Sequence, residues 1–220
     1  MPRPRVTLKL ATSLDGRIAA ASGESQWITG EVARAEVQRL RATHDAVMIG
    51  AETARRDNPS LLVHADPEGL QPARVVLTSS FDIPFEGKLF ENLAASPLIV
   101  FGAERAGSAR QAILKDAGAY VEPAPAVNGG VDIAAVLARL EALNFGNILV
   151  EGGGKLAAVL IAADAIDRLE WFRAPMVLGA AGRPAVATLT VATLADAPRF
   201  KRVALRELGP DIWESYERVS

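Results

Sequence analysis

Apolar residues alternate with polar ones in some segments of the chain, which predicts strands. In other segments they recur every three or four positions, which predicts helices. Between residues 5 and 11 apolar and polar side chains alternate, which predicts a half-buried strand with Lys9 on its polar face. A short, wholly apolar run follows at residues 46–50, and similar short runs with an apolar centre follow at 74–78, 97–101 and 147–151. Runs of this length and composition predict strands that are buried within a parallel sheet.

Helices are predicted between these strands, where apolar residues recur every three or four positions. One such apolar face consists of Val32, Ala33, Val37 and Leu40. It predicts a helix over residues 30–42, for which Thr29 is the expected N-cap. Further helices are expected over residues 52–56, over 106–116 before Gly118, from Asp132 through Leu140, and over 155–163.

The last quarter of the chain has a different pattern, with strands expected at 168–174, 200–205 and 211–219. Long β segments with few helices indicate antiparallel strands that extend a parallel sheet. Turn-rich loops are expected at 66–72, 81–86 and 123–130. The whole pattern predicts a single α/β domain over residues 1–220, built on a mixed sheet.

Composition and charge exclude several classes of protein. The 24 basic and 26 acidic residues are interspersed and leave a net charge of −2. Such a chain has no basic stripe with which to gather nucleic acid or an anionic membrane surface. The absence of cysteine excludes disulfides and thiolate zinc sites, and His44 and His64 are too few for a histidine metal cluster. We therefore expect no metal, nucleic acid or membrane partner.

The segments that target a protein to another compartment have recognisable compositions. The residues before the first predicted strand are too charged for a signal peptide. The apolar stretches fall far below the roughly 20 residues that a membrane span needs. We therefore expect a soluble, cytoplasmic protein.

The strongest local signal for chemistry is the turn formed by Gly152, Gly153 and Gly154, which separates a predicted strand from a helix. Such a turn lets backbone N–H groups at a helix N-terminus approach a phosphate without Cβ clashes. A tight turn without a ligand explains the same residues equally well. The turn lies too far along the chain for a Rossmann unit, and its spacing does not fit a Walker P-loop. A nucleotide phosphate would therefore be bound in a different fold.

Two other segments combine chemically active side chains with turn residues. Lys9 is followed by Leu-Asp-Gly-Arg and by a loop in which small and polar residues flank Trp27, a surface suited to a flat heteroaromatic ligand. Farther on, Thr53 precedes Asp57-Asn-Pro59. Ordinary turn chemistry and a solvated lysine are the alternative explanations for these residues.

Together these segments resemble the reductase domain of the riboflavin biosynthesis deaminase-reductase proteins. The resemblance rests on Lys9 with Ser13-Leu-Asp-Gly-Arg17, Ser22-Gly-Glu-Ser-Gln-Trp-Ile-Thr29, Thr53 with Asp57-Asn-Pro59, and Val150-Glu-Gly-Gly-Gly154. Their order and spacing agree with the family, and Ala174-Pro-Met-Val-Leu-Gly179 resembles its Ala-Pro-x-Leu-Leu-Gly segment. The resemblance therefore extends over essentially the whole chain.

This resemblance implies both a fold and an activity. The fold would be dihydrofolate-reductase-like, with a mixed, mostly parallel central sheet flanked by helices and antiparallel C-terminal strands, and the protein would be a homodimer. The activity would be NADPH-dependent reduction of a phosphoribosylamino-pyrimidine, either deaminated or diamino, to its ribitylamino product in riboflavin biosynthesis. Hydride would reach C1′ of the sugar and the ring would open through an imine-like form.

The resemblance also implies roles for particular residues. Those that would hold the cofactor are Ala11, Trp27, Thr53, Asp57, Ser79, Gly152, Gly153 and Gly154. Those that would line the substrate are Ser25, Arg41, Leu61 and Glu151. Lys9 is the first candidate for the proton donor and Glu151 the second. An arginine fork suits the substrate's 5′-phosphate, and Arg41 can supply it.

The sequence departs from the family in two respects. His64 stands where the family commonly has a second phosphate-binding arginine. Histidine donates a hydrogen bond and is charged only when protonated, so either phosphate affinity is weaker or the substrate differs. A neutral surface histidine is the alternative. The zinc deaminase of the bifunctional proteins needs cysteine ligands that this chain lacks, which implies a separate deaminase or an excised domain.

Two other functions are compatible with the same residues. One is a paralogous reductase of another pterin- or pyrimidine-like substrate, which His64 would favour. The other is a non-catalytic module that binds NADPH or senses a flavin precursor. Substrates with and without the 5′-phosphate distinguish the first, and cofactor binding without turnover distinguishes the second.

Overall fold

A computed structural model describes residues 3–219. Its strands are β1 (Arg5–Thr12), β2 (Arg17–Ala19), β3 (Ala46–Gly50), β4 (Ala73–Leu77), β5 (Leu98–Ala103), β6 (Tyr120–Ala124), β7 (Ala126–Val127), β8 (Gly130–Val131), β9 (Asn147–Val150), β10 (Arg168–Arg173), β11 (Arg183–Pro184), β12 (Phe200–Leu208) and β13 (Asp211–Arg218). Its helices are α1 (Glu31–Ala42), α2 (Ala51–Asp57), α3 (Ser108–Asp116), α4 (Ile133–Ala142) and α5 (Gly154–Ala162), and a short 3-10 helix covers Lys88–Phe90.

The chain divides into two compact units, of which the first consists chiefly of Gln38–Val150. Its main strands pair in parallel in the order β9-β3-β4-β5-β6. Every residue of β4 is buried, as expected of a strand inside a parallel sheet. The core of this unit contains, among others, Val47, Val76, Val100 and Leu149 from the strands, with Ala54 and Leu114 from α2 and α3.

The second unit consists of Arg5–Val37 and the chain from Glu151 onward. Its main strands follow the order β12-β13-β10-β1, in which β1 and β10 are parallel and the remaining pairs are antiparallel. The turn between β12 and β13 contains Gly209 and Pro210, and Gly209 has the positive φ of +67° that the first position of such a tight hairpin turn requires. A small antiparallel pair joins β2 and β11.

Local signals in the sequence explain where several helices begin and end. The Asp132 side chain caps α4 by accepting hydrogen bonds from the N–H groups of Ala134 and Ala135, at 2.8 and 3.3 Å. Gly118, with φ of +97°, follows the end of α3, where a left-handed residue ends a helix. Both features agree with the sequence-based prediction.

Three details of the sequence-based prediction are wrong. Helix α1 begins at Glu31 and its first hydrogen bond joins the Arg34 N–H to the Gly30 carbonyl, so Gly30 and not Thr29 is its N-cap residue. The segment 123–130, expected to be a loop, contains the end of β6 and most of the paired strands β7 and β8. Val32, placed on the apolar face of α1, is 52% exposed, whereas Ala33 and Val37 are buried. A helical period alone did not fix the edge of the buried face, because only the packed neighbours decide how wide that face is.

The predicted fold class is confirmed: the strands are mostly parallel, helices flank them, and the C-terminal strands are antiparallel. Across residues 3–219, no helix combines the length and the apolar composition needed to cross a membrane.

Candidate active site

The residues singled out by the sequence fall in both units. The first unit contains Arg41, Thr53, Asp57, Leu61, His64 and Ser79. The second unit contains Lys9, Ala11, Ser25, Trp27, Glu151, Gly152, Gly153 and Gly154. Over residues 3–219, no group of three or more His, Cys, Asp or Glu residues could hold a metal ion.

Lys9 lies on β1, on the same face of the strand as Ala11. In the parallel register with β10, Lys9 is paired with Glu170 and Ala11 with Phe172. The Nζ atom of Lys9 lies 5.9 Å from the centroid of the Phe172 ring, which is within reach of a cation–π contact. Lys9 is half-buried, so its side chain lies partly against protein rather than wholly in water.

The strand face that carries Lys9 is held by hydrogen bonds and by ring stacking. The buried carboxylate of Glu170 accepts a hydrogen bond from Trp213 Nε1 at 2.6 Å and others from the Ser215 hydroxyl and the Arg168 guanidinium. The Trp213 ring in turn stacks on Phe172, with centroids 5.3 Å apart and planes inclined by 11°. Satisfied buried networks of this kind are rigid, and they give the lysine a fixed support.

Packing requires Gly154, one of the three glycines that follow β9, and constrains Gly152 less strictly. A Cβ atom on Gly154 would lie 2.4 Å from the carbonyl oxygen of Pro184. The Gly154 carbonyl also accepts a hydrogen bond from the Ala187 N–H at 2.9 Å. A Cβ atom on Gly152 would lie 2.8 Å from Cδ2 of Leu156. The tight-turn explanation therefore holds for Gly154, whereas the nearest atom at Gly152 is the end of a flexible side chain that can move.

The same turn ends in a helix terminus that suits an anion. The N-cap residue of α5 is Gly153, and no side chain caps the helix. The first N–H groups of a helix have no partner inside it, and the positive end of the helix dipole lies beside them. Phosphate binding at this terminus stays a prediction, beside the packing role of Gly154. Glu151, which directly precedes the turn, is half-buried.

Asp15 has a structural role that the sequence did not reveal. Its carboxylate accepts hydrogen bonds from the Ser13 hydroxyl at 2.6 Å and from the N–H groups of Leu178 and Gly179 at 3.1 and 2.7 Å. The Ser13 and Leu178 hydrogen bonds are the main causes that lower the pKa of Asp15 to about 2. Asp15 thus ties the Leu-Asp-Gly-Arg turn to a second recognised segment, 174–179, which lies far along the chain.

Substitution Asp15→Asn is expected to remove a pH-dependent contribution to stability. The pKa of Asp15 is lowered from 3.8 to about 2 in the folded chain, so its carboxylate stabilises the fold above about pH 4. That contribution is lost as the pH falls toward about 2. Urea unfolding of both proteins across this range would measure it. The stability difference should shrink with falling pH, and a constant difference would contradict this role for Asp15.

Ser25 and Trp27 lie in the loop before α1, and both are exposed. Trp27 retains 67% of its accessible surface. The guanidinium of Arg34 lies 4.4 Å from the centroid of the Trp27 ring. The loop thus presents the large aromatic ring of Trp27 to solvent. The ring is supported by Arg34 of α1, which the sequence analysis did not single out.

Three predicted cofactor residues lie on α2 or shortly after β4 in the first unit. Thr53 and Asp57 are four positions apart on α2 and therefore share one face of the helix. Partial burial raises the pKa of the Asp57 carboxyl, and the neighbouring Arg56 guanidinium opposes that rise. Ser79 is exposed and follows β4 by two residues.

Arg41 on α1 contacts the segment that follows α2, and His64 belongs to that segment. Arg41 Nη1 donates a hydrogen bond to the carbonyl of Leu62 at 3.1 Å. The backbone N–H of His64 donates to the side-chain oxygen of Gln38 at 2.7 Å, and its Nε2 lies 2.8 Å from the Ser60 hydroxyl. These contacts join α1 to the 60–64 segment and leave the His64 side chain exposed.

Leu61 has an unusual conformation within that segment. Its φ is +60°, a left-handed value that few residues other than glycine adopt. Its side chain is 2% exposed and belongs to the apolar core of the first unit. Only the backbone of Leu61 is therefore available to a ligand.

The chain is similar to known proteins along nearly its whole length. Residues 4–213 match the protein family described as the RibD C-terminal domain. The riboflavin biosynthesis protein RibD of Haemophilus influenzae is 34% identical over 227 aligned positions, which cover 97% of this chain and 58% of that protein. The chain spans just over half the length of the curated RibD relatives that it matches.

Solved structures give the same result for the fold. RibD of Acinetobacter baumannii, form 1, is 31% identical and superposes with a TM-score of 0.85, covering 99% of this chain and 59% of that one. Dihydrofolate reductase from Enterococcus faecalis superposes with a TM-score of 0.51 at 15% identity, covering 98% of this chain and 97% of that one, and shows likeness of fold alone. With its dihydrofolate-reductase-like fold, the chain belongs to the RibD C-terminal domain family.

Proposed function

We propose that this protein reduces 5-amino-6-(5-phosphoribosylamino)uracil, or the diamino-pyrimidinone equivalent, to its ribitylamino product in riboflavin biosynthesis, with NADPH as the reductant. The family match over residues 4–213 carries the proposal. A homologue of known structure from Thermotoga maritima, 26% identical, is described as a diaminohydroxyphosphoribosylaminopyrimidine deaminase and 5-amino-6-(5-phosphoribosylamino)uracil reductase. The joint presence of Lys9, Arg41, Asp57 and Glu151 supports an active enzyme, because a silent binding module has no need of all four.

NADPH, when bound, supplies the hydride, and the protein positions the reacting groups. In this proposal the cofactor is held by Ala11, Trp27, Thr53, Asp57, Ser79 and the turn Gly152, Gly153 and Gly154. The uncapped terminus of α5 fits a cofactor phosphate, because its N–H groups are the donors that such a phosphate needs. The exposed ring of Trp27 fits a planar heteroaromatic ring.

Lys9 acts as the proton donor in the proposed reaction. The ribose ring opens when its ring oxygen accepts a proton and the bond from C1′ to that oxygen breaks, which leaves an imine-like C1′. Hydride then adds to C1′ and gives the open ribityl chain. A lysine ammonium supported by an aromatic ring can deliver the proton to the sugar oxygen. Glu151, half-buried beside the glycine turn, is the second candidate.

The substrate phosphate is assigned to Arg41 and His64, with Ser25, Leu61 and Glu151 lining the rest of the substrate. Arg41 presents a planar guanidinium that is already oriented by its bond to the Leu62 carbonyl. The exposed ring of His64 stands where the family commonly has a second phosphate-binding arginine. The assignment requires a weaker phosphate contact at position 64 than an arginine would give.

Substitution His64→Arg is therefore expected to lower the KM for the phosphorylated substrate by roughly fivefold, because arginine is always charged and binds phosphate through two donors. The kcat should change little, since the phosphate is remote from C1′. Steady-state kinetics would measure both constants. His44→Arg is the matched control, because His44 is the other histidine and bonds to the Leu40 carbonyl at the end of α1. An equal effect on the dephosphorylated analogue would refute the phosphate assignment.

The proposed function is tested by following NADPH consumption with three compounds. They are the phosphoribosylamino-pyrimidine, its dephosphorylated analogue and dihydrofolate. Turnover that strongly prefers the phosphorylated compound is expected. Preference for either of the others would favour the paralogous reductase, and tight NADPH binding without any turnover would favour the binding module.

The proposal also covers features of the protein as a whole. We propose that residues 1–220 act as one reductase domain, that the protein is a cytoplasmic homodimer, and that a deaminase on another chain or segment prepares the deaminated substrate. Sedimentation of the purified protein would measure its oligomeric state directly.

A further inference from the structure

The indole of Trp27 is covered on one face only. Arg34 places its guanidinium 4.4 Å from the ring centroid, at the distance of a stacked cation–π pair. Trp27 nevertheless keeps 67% of its accessible surface. The edges of a ring cannot account for so much exposure, so the face opposite the guanidinium is open to solvent.

Arg34 is itself anchored, so that it forms a fixed support for the ring. Its Nη1 donates a hydrogen bond to the Thr29 carbonyl at 2.8 Å, and its backbone N–H donates to the Gly30 carbonyl at 3.1 Å. The Gly30 N–H donates in turn to Oδ2 of Asp211 at 2.6 Å. Asp211 is 2% exposed. The loop and the first turn of α1 are thereby attached to a buried carboxylate at the start of β13.

We propose that Arg34 is a positioning residue, which holds the indole of Trp27 so that its open face receives a planar heteroaromatic ring of the cofactor. This inference rests on the proposed function, because it takes NADPH as the ligand. Arg34 does not touch the ligand itself. It acts through Trp27, by limiting the orientations that an otherwise exposed side chain adopts before binding.

The chemistry of the pair suits this role. A guanidinium is planar and stacks on an aromatic face, while its N–H groups still donate to a carbonyl in the plane. An exposed tryptophan without such support would lose rotamer freedom when a ligand stacks on it. A pre-oriented ring avoids most of that loss, and the gain is seen as tighter binding with little effect on the chemical step.

A double-mutant cycle on NADPH affinity, measured by titration calorimetry of the full chain, tests the inference. The variants are Arg34→Gln, Trp27→Ala and the double variant, with Arg34→Lys as a partial rescue that keeps the charge. Arg206→Gln is the matched control, because Arg206 lies 5.1 Å from the ring centroid of Trp213, a different tryptophan. Thermal unfolding of each variant monitors the fold.

Trp27→Ala is expected to weaken NADPH binding by roughly tenfold or more, as for loss of one stacked ring. Arg34→Gln should weaken it by roughly two- to fivefold, Arg34→Lys by less, and Arg206→Gln not at all. In the Trp27→Ala background Arg34→Gln should add nothing. The KM for NADPH should rise in Arg34→Gln while kcat stays nearly constant.

Three outcomes would overturn the inference while the proposed function stands. They are an unchanged affinity in Arg34→Gln, an equal loss from Arg34→Gln in both backgrounds, and an unchanged affinity in Trp27→Ala. Failure of the wild-type protein to bind NADPH would overturn both the inference and the proposed function.

Discussion

Replacement of Lys9 by methionine is expected to slow reduction of the phosphoribosylamino-pyrimidine by roughly a hundredfold to ten-thousandfold, the range for loss of a general acid. Methionine keeps the length and the apolar stem of lysine, so the contact with the Phe172 ring is largely retained. The loss should therefore fall on kcat, with little change in the affinity for NADPH. Single-turnover kinetics with saturating cofactor would measure the chemical step alone.

Lys201→Met provides a control for this prediction. Lys201 lies on β12 in the same unit, is exposed, and has no part in the proposed site. Its replacement should leave kcat unchanged. If Lys9→Met retained most of the wild-type kcat, Lys9 would not be the proton donor, and Glu151 would become the first candidate.

Substitution Gly154→Ala is expected to lower the free energy of unfolding by about 1–3 kcal/mol, the usual cost of forcing an extra carbon into a packed site. The new Cβ would lie 2.4 Å from the Pro184 carbonyl oxygen and 3.1 Å from the Ala187 backbone nitrogen. Backbone atoms cannot rotate away as a flexible side chain can, so the 184–187 segment or the start of α5 must shift. Urea unfolding would measure the change.

Gly107→Ala is the control, because Gly107 likewise lies at the start of a helix, as the N-cap residue of α3, and nothing lies within 4 Å of the added Cβ. Its effect should stay within about 0.5 kcal/mol. Equal stabilities of the two variants would show that packing does not require Gly154. The phosphate contact would then be the main reason for glycine at that position.

Alternation and helical period were enough to predict most of the elements. The wholly apolar run at 46–50 became β3, and Asp132 caps α4 as its position before an apolar period indicates. These signals succeed because burial of one face and capping of one end are local properties of the sequence. The paired strands β7 and β8 were missed, since two-residue strands show no period.

Features that depend on distant partners could not be predicted from the sequence. Arg74 was counted as part of an apolar run, and the structure buries it completely, with hydrogen bonds to the carbonyls of Lys88 and Ser96. Burial lowers the pKa of Arg74 to about 10, and Glu91 opposes that shift. Nothing in the sequence connects a strand arginine to carbonyl groups so far along the chain.

The residues of the candidate site also divide into those that the sequence singled out and those that only the structure revealed. Lys9, Trp27 and the glycine turn stood out because their residue types are unusual in their surroundings. Glu170 and Asp15 did not, although each accepts three hydrogen bonds from side chains or backbone groups. Their donors include residues more than 40 and 160 positions away, respectively, and only the folded chain brings those donors to them.

The most direct test of the proposed function is to follow the hydride itself. The enzyme would be given the phosphoribosylamino-pyrimidine and NADPH in which both hydrogens of the hydride-donating carbon are replaced by deuterium, and the product would be examined by mass spectrometry and NMR. One deuterium at C1′ of a ribityl chain is the predicted result. A product without deuterium, or with deuterium on the pyrimidine ring, would contradict the proposed reduction.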